Sequence, residues 1–184
     1  MRYSSVVIPV YRRFSTFLCG CTVLLILVQP VQAQALQAPF PIEASTSAAV
    51  VEVSVRLPKD GVRAGTRFEV FVMVDVALGW HVNAHEPTRK YLIGTALDVA
   101  PPAGLRVEGA YYPDPLFRTF GFTADTLAVY EGEIAVILAM RAAETLAPGS
   151  LAVPGRLRVQ ACNDQVCLRP SQIDVEIPVE IVEG

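Results

Sequence analysis

From residue 51 onward, the dominant hydrophobic period is two. Val51, Val53 and Val55 alternate with Glu52, Ser54 and Arg56. Phe68, Val70, Val72, Val74 and Val76 alternate with Arg67, Glu69, Phe71, Met73 and Asp75. Ile173, Val175, Ile177, Val179 and Ile181 alternate with Asp174, Glu176 and Glu180. Successive strand side chains point to opposite faces, so each run predicts a strand with one buried face and one largely wet face. Shorter candidates span 80–84, 96–100, 105–111, 127–140 and 151–161. Lys59-Asp60-Gly61, Pro101-Pro102-Ala103-Gly104, Pro113-Asp114-Pro115 and Ala147-Pro148-Gly149 supply turns between them. No window carries a sustained helical period, and 141–146 would make one turn at most. There is no internal repeat, which excludes propellers and solenoids. The pattern predicts an all-β sandwich or barrel in one domain, residues 48–184.

The first 33 residues follow a different pattern. Arg2, Arg12 and Arg13 precede an apolar run from Phe17 to Val28, and small-residue cleavage patterns end at Ala33 and Ala35. A basic region, a short apolar core and an A-x-A-like end describe a secretory signal, cut after Ala33 or Ala35. A membrane span needs roughly 20 apolar residues, and this run falls short. Residues 34–47, small and polar with two prolines, read as a flexible lead-in. The expected location is the periplasm, with no membrane span after cleavage.

Composition sharpens this picture. At 184 residues, 52% hydrophobic and 18% charged, the chain is neither disordered nor a disulfide-dense miniprotein. Loss of the three leader arginines leaves 12 basic against 18 acidic residues, a net charge of −6. That balance excludes the basic stripe that grips nucleic acid. Cys19 and Cys21 leave with the leader, so two cysteines remain, Cys162 and Cys167, in a chain sent to an oxidising compartment.

Leu157, Val159 and Ala161 alternate with Arg158 and Gln160, so a strand runs into Cys162, and Asn163-Asp164-Gln165 is turn chemistry. A hairpin loop over 163–166 would set Cys162 directly opposite Cys167. Opposed strand residues have Cβ atoms ~4.5–5.5 Å apart, and a disulfide wants ~3.5–4.5 Å. The bridge can form if the ladder pinches slightly. As a staple it is weak, because closing so short a loop removes only about 2 kcal/mol of unfolded-state entropy. Labile exchange and a plain staple both remain open, with exchange favoured.

A metal site is the chemical rival. His81 and His85, with the two cysteines, offer four ligands suited to zinc or copper. On one strand, however, positions 81 and 85 lie ~13 Å apart, too far to chelate together. Hydrolase, zinc-protease and phosphate-loop motifs are missing. The reading requires no cofactor and no metal.

The segment Val159-Gln160-Ala161-Cys162-Asn163-Asp164-Gln165-Val166-Cys167-Leu168-Arg169-Pro170 resembles the cysteine hairpin of the N-terminal periplasmic domains of the DsbD family of thiol:disulfide interchange proteins. Gly79–Ala84, Tyr91–Leu97 and Val129–Ile134 add to the resemblance in the same order, over about residues 75–175. It implies an immunoglobulin-like antiparallel β-sandwich that carries reducing equivalents. It further implies a thioredoxin-like donor fed by a membrane electron-transfer domain, and periplasmic disulfide acceptors such as isomerases and cytochrome c maturation proteins. Matched position by position, Cys167 takes the role of the thiol that forms the mixed disulfide, and Cys162 that of the resolving thiol. The family's aromatic cap loop corresponds to 115–125, with Phe117, Phe120 and Phe122 as cap candidates. Simple packing of these rings on the sandwich is the other reading. The family's membrane and thioredoxin-like domains have no counterpart in this sequence; either separate proteins supply them, or the module is redeployed, for instance as a dedicated adaptor.

Asp164 adjoins the pair, no helix is expected there, and Arg169 is the close cation. Thiolates are favoured by helix N-termini and neighbouring cations, so these thiols are expected not to be strongly acidic. Titrating thiolate absorbance in the reduced protein checks this, and a pKa below about 7 contradicts it.

Overall fold

The computed structural model describes residues 46–121 and 123–183. The expected leader, all but the last two residues of the lead-in, and Phe122 lie outside that range. The described chain is all-β, apart from one 3-10 turn at Ser47–Ala49. Its strands are β1 (Val51–Arg56), β2 (Val62–Arg63), β3 (Arg67–Val76), β4 (His81–Asn83), β5 (Ala96–Val99) and β6 (Leu105–Tyr111). They continue as β7 (Leu116–Thr119), β8 (Thr126–Tyr130), β9 (Gly132–Ala142), β10 (Gly149–Val159), β11 (Ala161–Cys162) and β12 (Ser171–Val182).

Three four-stranded sheets result, ordered β1-β3-β9-β6, β2-β12-β10-β5 and β11-β4-β8-β7. Pairing is antiparallel except between β2 and β12. The first two sheets bury their alternating apolar faces in one core. Val70, Val72, Val74, Val136 and Leu138 come from one side, and Val153, Leu157, Ile177 and Val179 from the other. This is the immunoglobulin-like sandwich expected. Each fully buried Val, Leu or Ile contributes roughly 1.5–3 kcal/mol, so any one of them matches what the short disulfide loop can add.

Two long apolar runs of the sequence each divide into two strands. The stretch 127–140 breaks at Glu131, where β8 in the third sheet gives way to β9 in the first. Gly132 takes φ +62° at the switch, with nothing within 4 Å of a would-be Cβ, so backbone conformation is what demands glycine. The stretch 151–161 breaks at Gln160, and the chain leaves β12 to pair with β4. At Gln160 the strand period hides the break, because Val159 and Ala161 keep the alternation through the change of partner, whereas Glu131-Gly132-Glu133 interrupts the first run. The segment around Phe117, expected as part of a cap loop over 115–125, instead forms β7 and pairs with β8.

Thr46 and Ser47, the last residues of the expected lead-in, belong to the fold. Thr46 bridges to Arg169, and the buried Ser47 hydroxyl donates to the Arg169 carbonyl at 2.9 Å. The same oxygen accepts the Ala161 N–H at 2.8 Å. Ser47 thereby ties together the two legs of the segment carrying both cysteines. Ser47→Ala strands the Ala161 N–H, and an unsatisfied buried donor costs about 1–3 kcal/mol. Urea unfolding should show a lower midpoint with an unchanged slope.

Candidate functional site: the Cys162–Cys167 hairpin

Cys162 ends β11, and Cys167 faces it across a two-legged turn. Asn163 N–H donates to the Val166 carbonyl at 2.9 Å, and Leu168 N–H to the Ala161 carbonyl at 2.8 Å. These bonds flank the cysteines, which therefore occupy a non-hydrogen-bonded position, where opposed side chains come closest. The Asn163 side-chain oxygen accepts both the Gln165 N–H, at 2.9 Å, and the Val166 N–H, at 2.8 Å. Asn163 closes the turn with its side chain, the reason Asn suits this position. The two cysteines form a disulfide with Cα atoms 4.0 Å apart. That is closer than the ~4.5 Å of an ordinary non-hydrogen-bonded pair, which is the pinch the hairpin reading requires.

The two sulfur-bearing residues are not equivalent. Cys162 is 4% exposed, whereas Cys167 is exposed. Val166, 52% exposed, stands beside Cys167 at the tip.

Register shows what surrounds Cys162. Ala161 pairs with Val82 and Cys162 with His81. Ala161 and Val82 belong to the sandwich core, so Cys162 and His81 project together from the opposite face of the third sheet. On that face Phe120, Leu127, Val129 and Leu92 form a small separate cluster. The Phe120 ring stacks on the His81 imidazole with centroids 4.0 Å apart and planes 17° from parallel. Such ring pairs contribute about 0.5–1.5 kcal/mol beyond their buried area.

The loop that follows Phe120 is tied to Arg89 through Asp125. Arg89 holds Asp125 through two hydrogen bonds of 2.6 and 3.0 Å, and those bonds keep the Asp125 carboxyl below the usual carboxylate range. The pair is well exposed to solvent, and exposed pairs contribute roughly 0–1 kcal/mol.

Of the three cap candidates, Phe120 is the one placed on this face. Phe117 pairs with Ala128, whose side chain belongs to the sandwich core, so it lies on the other face of the sheet and is 66% exposed. Phe122 is outside the described residues. The two histidines are not brought together. The exposed His85 places Nδ1 2.9 Å from the Thr95 carbonyl and stacks on Tyr112 at 3.7 Å. Among the described residues no three His, Cys, Asp or Glu side chains are grouped to hold a metal ion. Also among them, no helix is long and apolar enough to cross a membrane.

His81 is the residue that sequence reasoning undervalued. It is 4% exposed, and its Nε2 is buried without a hydrogen-bond partner. Burial lowers its pKa, partly opposed by the negative charges of Glu131 and Asp164. Nothing local in Trp-His-Val-Asn shows that residue 81 faces residue 162, because that pairing joins strands 81 positions apart in the chain.

No protein-family model matches the sequence, and no curated protein matches it. Among solved structures, the chain is similar to the N-terminal domain of DsbD from Neisseria meningitidis in its reduced form. Identity is 17% and the TM-score 0.44, over 70% of this chain and 85% of that one. It is also similar to the N-terminal periplasmic domain of ScsB from Proteus mirabilis, at 12% identity and a TM-score of 0.47. That match covers 71% of this chain and 46% of the other, so this chain spans less than half of that structure. A third similarity is to the yeast GGA1 GAE domain, at 10% identity and a TM-score of 0.36, over 71% and 92% of the two chains. None of these likenesses bears on chemistry; the hairpin's own geometry does.

The depressed pKa of His81 has a consequence for stability. The unfolded chain binds a proton at this histidine near pH 6.5, and the folded chain does so only at lower pH. Its contribution is therefore complete above about pH 6.5 and is lost as pH falls through the folded value. His81→Phe keeps a ring against Phe120 and removes the titration. On acidification from about pH 7 to 5, thermal melts of the oxidised proteins should show the parent losing more stability than His81→Phe. Equal losses in both contradict a buried, neutral His81.

Proposed function

We propose that this protein is an exported dithiol/disulfide exchange module whose chemistry resides in Cys167 and Cys162. The observation that carries the reading is the asymmetry within one disulfide, an exposed Cys167 joined to a buried Cys162. An incoming thiolate reaches Cys167 Sγ far more readily than its partner. Its attack forms a mixed disulfide at Cys167, and the Cys162–Cys167 bond breaks with its electron pair going to Cys162. A second thiol of the donor then attacks its own sulfur in the mixed disulfide and releases Cys167. The donor leaves oxidised, and this protein holds two thiols.

Delivery runs the same steps in reverse. The Cys167 thiolate attacks an acceptor disulfide, and Cys162 then attacks Cys167 Sγ, restoring the internal bridge and releasing the acceptor reduced by two electrons. The donor is of thioredoxin-like class, supplied directly or through a membrane electron-transfer domain, and the acceptors are periplasmic disulfide proteins, cytochrome c maturation factors among them. Residues 1–33 serve as the export signal, and 34–45 lead into the domain that begins at Thr46.

Three features support this reading. The bridge adds only about 2 kcal/mol, against a typical domain stability of about 5–15 kcal/mol, so the sandwich survives its opening. Phe120, stacked on His81 on the face of the third sheet from which Cys162 projects, is placed to act as a cap that a docking protein displaces. Val166, beside Cys167, and the fully exposed Leu78 offer apolar contacts to such a partner.

Cys162→Ala should accumulate a mixed disulfide through Cys167 when mixed with a thioredoxin-type protein, seen as a thiol-sensitive band on a non-reducing gel. Cys167→Ala should trap nothing and abolish exchange. If both variants leave exchange untouched and change only thermal stability, the hairpin is an inert staple and the domain a binding or structural module.

A further inference from the structure

The buried ring nitrogen of His81 has no partner in the oxidised protein, and the residue directly across the strand pair is Cys162. Directly opposed residues have Cβ atoms about 4.5–5.5 Å apart and share one face. A disulfide sulfur has no proton to donate, whereas the thiol formed on reduction has one. Reduction therefore creates, on the facing residue, the kind of donor that the nitrogen lacks. We propose that His81 is the proton acceptor that activates Cys162, an inference that rests on the exchange reading: Nε2 takes the Cys162 thiol proton as that sulfur attacks the mixed disulfide at Cys167.

The step balances. The Cys162 S–H bond breaks, and its proton goes to Nε2, which requires the ring's other proton to sit on Nδ1. The Cys162–Cys167 bond forms from the electron pair left on Cys162 Sγ. The bond between Cys167 and the partner breaks, and the partner's sulfur leaves with that pair as a thiolate. The imidazolium then returns its proton to the departing thiolate. Cys167 needs no such help, because solvent reaches it and can carry its proton. Cys162, buried and paired across the strands with His81, has no comparable route.

Other groups near the ring are poorer bases for this task. Glu131 is engaged by Arg118 at 3.2 Å, and Asp164 is exposed at the hairpin tip. Asp75, Glu131 and Asp164 line the groove that His81 and Phe120 also border. An imidazole is ordinarily a stronger base than a carboxylate by about two pK units, and burial narrows that advantage at His81. Burial keeps the imidazole neutral near pH 7, while the two nearest carboxylates stabilise the imidazolium that forms transiently.

The test separates the two thiols in time. Reduced protein is mixed with one equivalent of dithiobis-nitrobenzoate, whose coloured thiolate is released once when Cys167 attacks and again when Cys162 closes the bridge. In His81→Phe the first release should keep its rate, and the second should slow at least about tenfold at pH 7. The second release should also lose the low-pH shoulder set by the imidazole and rise with pH up to the thiol's own titration. An unchanged rate and pH profile for the second release overturns the proposal. Absence of two-step release in the parent protein overturns the exchange reading itself, a different outcome.

A measurement on the unsubstituted protein guards against a variant that does not fold. Nitrogen NMR of His81 should show Nε2 as an unprotonated acceptor whose shift moves on reduction, as the Cys162 S–H comes into place. Identical His81 spectra in the two redox states overturn the proposal.

Discussion

The chemistry of this domain depends on a sulfur bridge held at a non-hydrogen-bonded position of a tight hairpin. Main-chain bonds on either side fix both legs, Asn163 closes the turn, and Ser47 clamps its base. The same antiparallel alternation then decides where each sulfur-bearing residue lies. Cys162 belongs to β11 and is pressed into the outer face of the third sheet, while Cys167 stands in solvent. A bond with one accessible end and one sheltered end has a direction built into it. In the proposed exchange, partners reach Cys167 first and Cys162 releases them.

The sandwich makes this arrangement affordable in stability. Its core is filled mainly by the inner faces of two long sheets, with Val82, Ala128 and Ala161 added from the third, and neither cysteine belongs to it. The third sheet is assembled from places where the chain changes sheets, at Gln160 on leaving β10 and at Gly132 on entering β9. Short strands with few neighbours carry the site, and long well-packed strands carry the stability. Opening the hairpin bridge therefore disturbs the smaller structure and leaves the larger one intact.

Much of this was legible in the sequence. Alternation in 51–56, 67–76 and 171–182 was sufficient for the long strands, and turn residues between Cys162 and Cys167 were sufficient for the hairpin. Sequence could not reveal relations between strands remote in the chain. The facing of His81 and Cys162, the clamp from Ser47, and the placement of Phe120 and Phe117 on opposite faces of one sheet all depend on pairing partners. A histidine in an apolar strand reads as packing until the residue across from it is known. The break at Gln160 was invisible because apolar alternation runs unbroken through it, whereas Glu131-Gly132-Glu133 interrupts the other run.

The most direct measurement is the equilibrium of the Cys162–Cys167 bridge with glutathione in the native, folded protein. A bridge that exchanges should have a potential above about −300 mV, with the reduced form keeping the sandwich's β-sheet spectrum. A potential well below that value, or a bridge that opens only when the domain unfolds, contradicts a role in electron transfer.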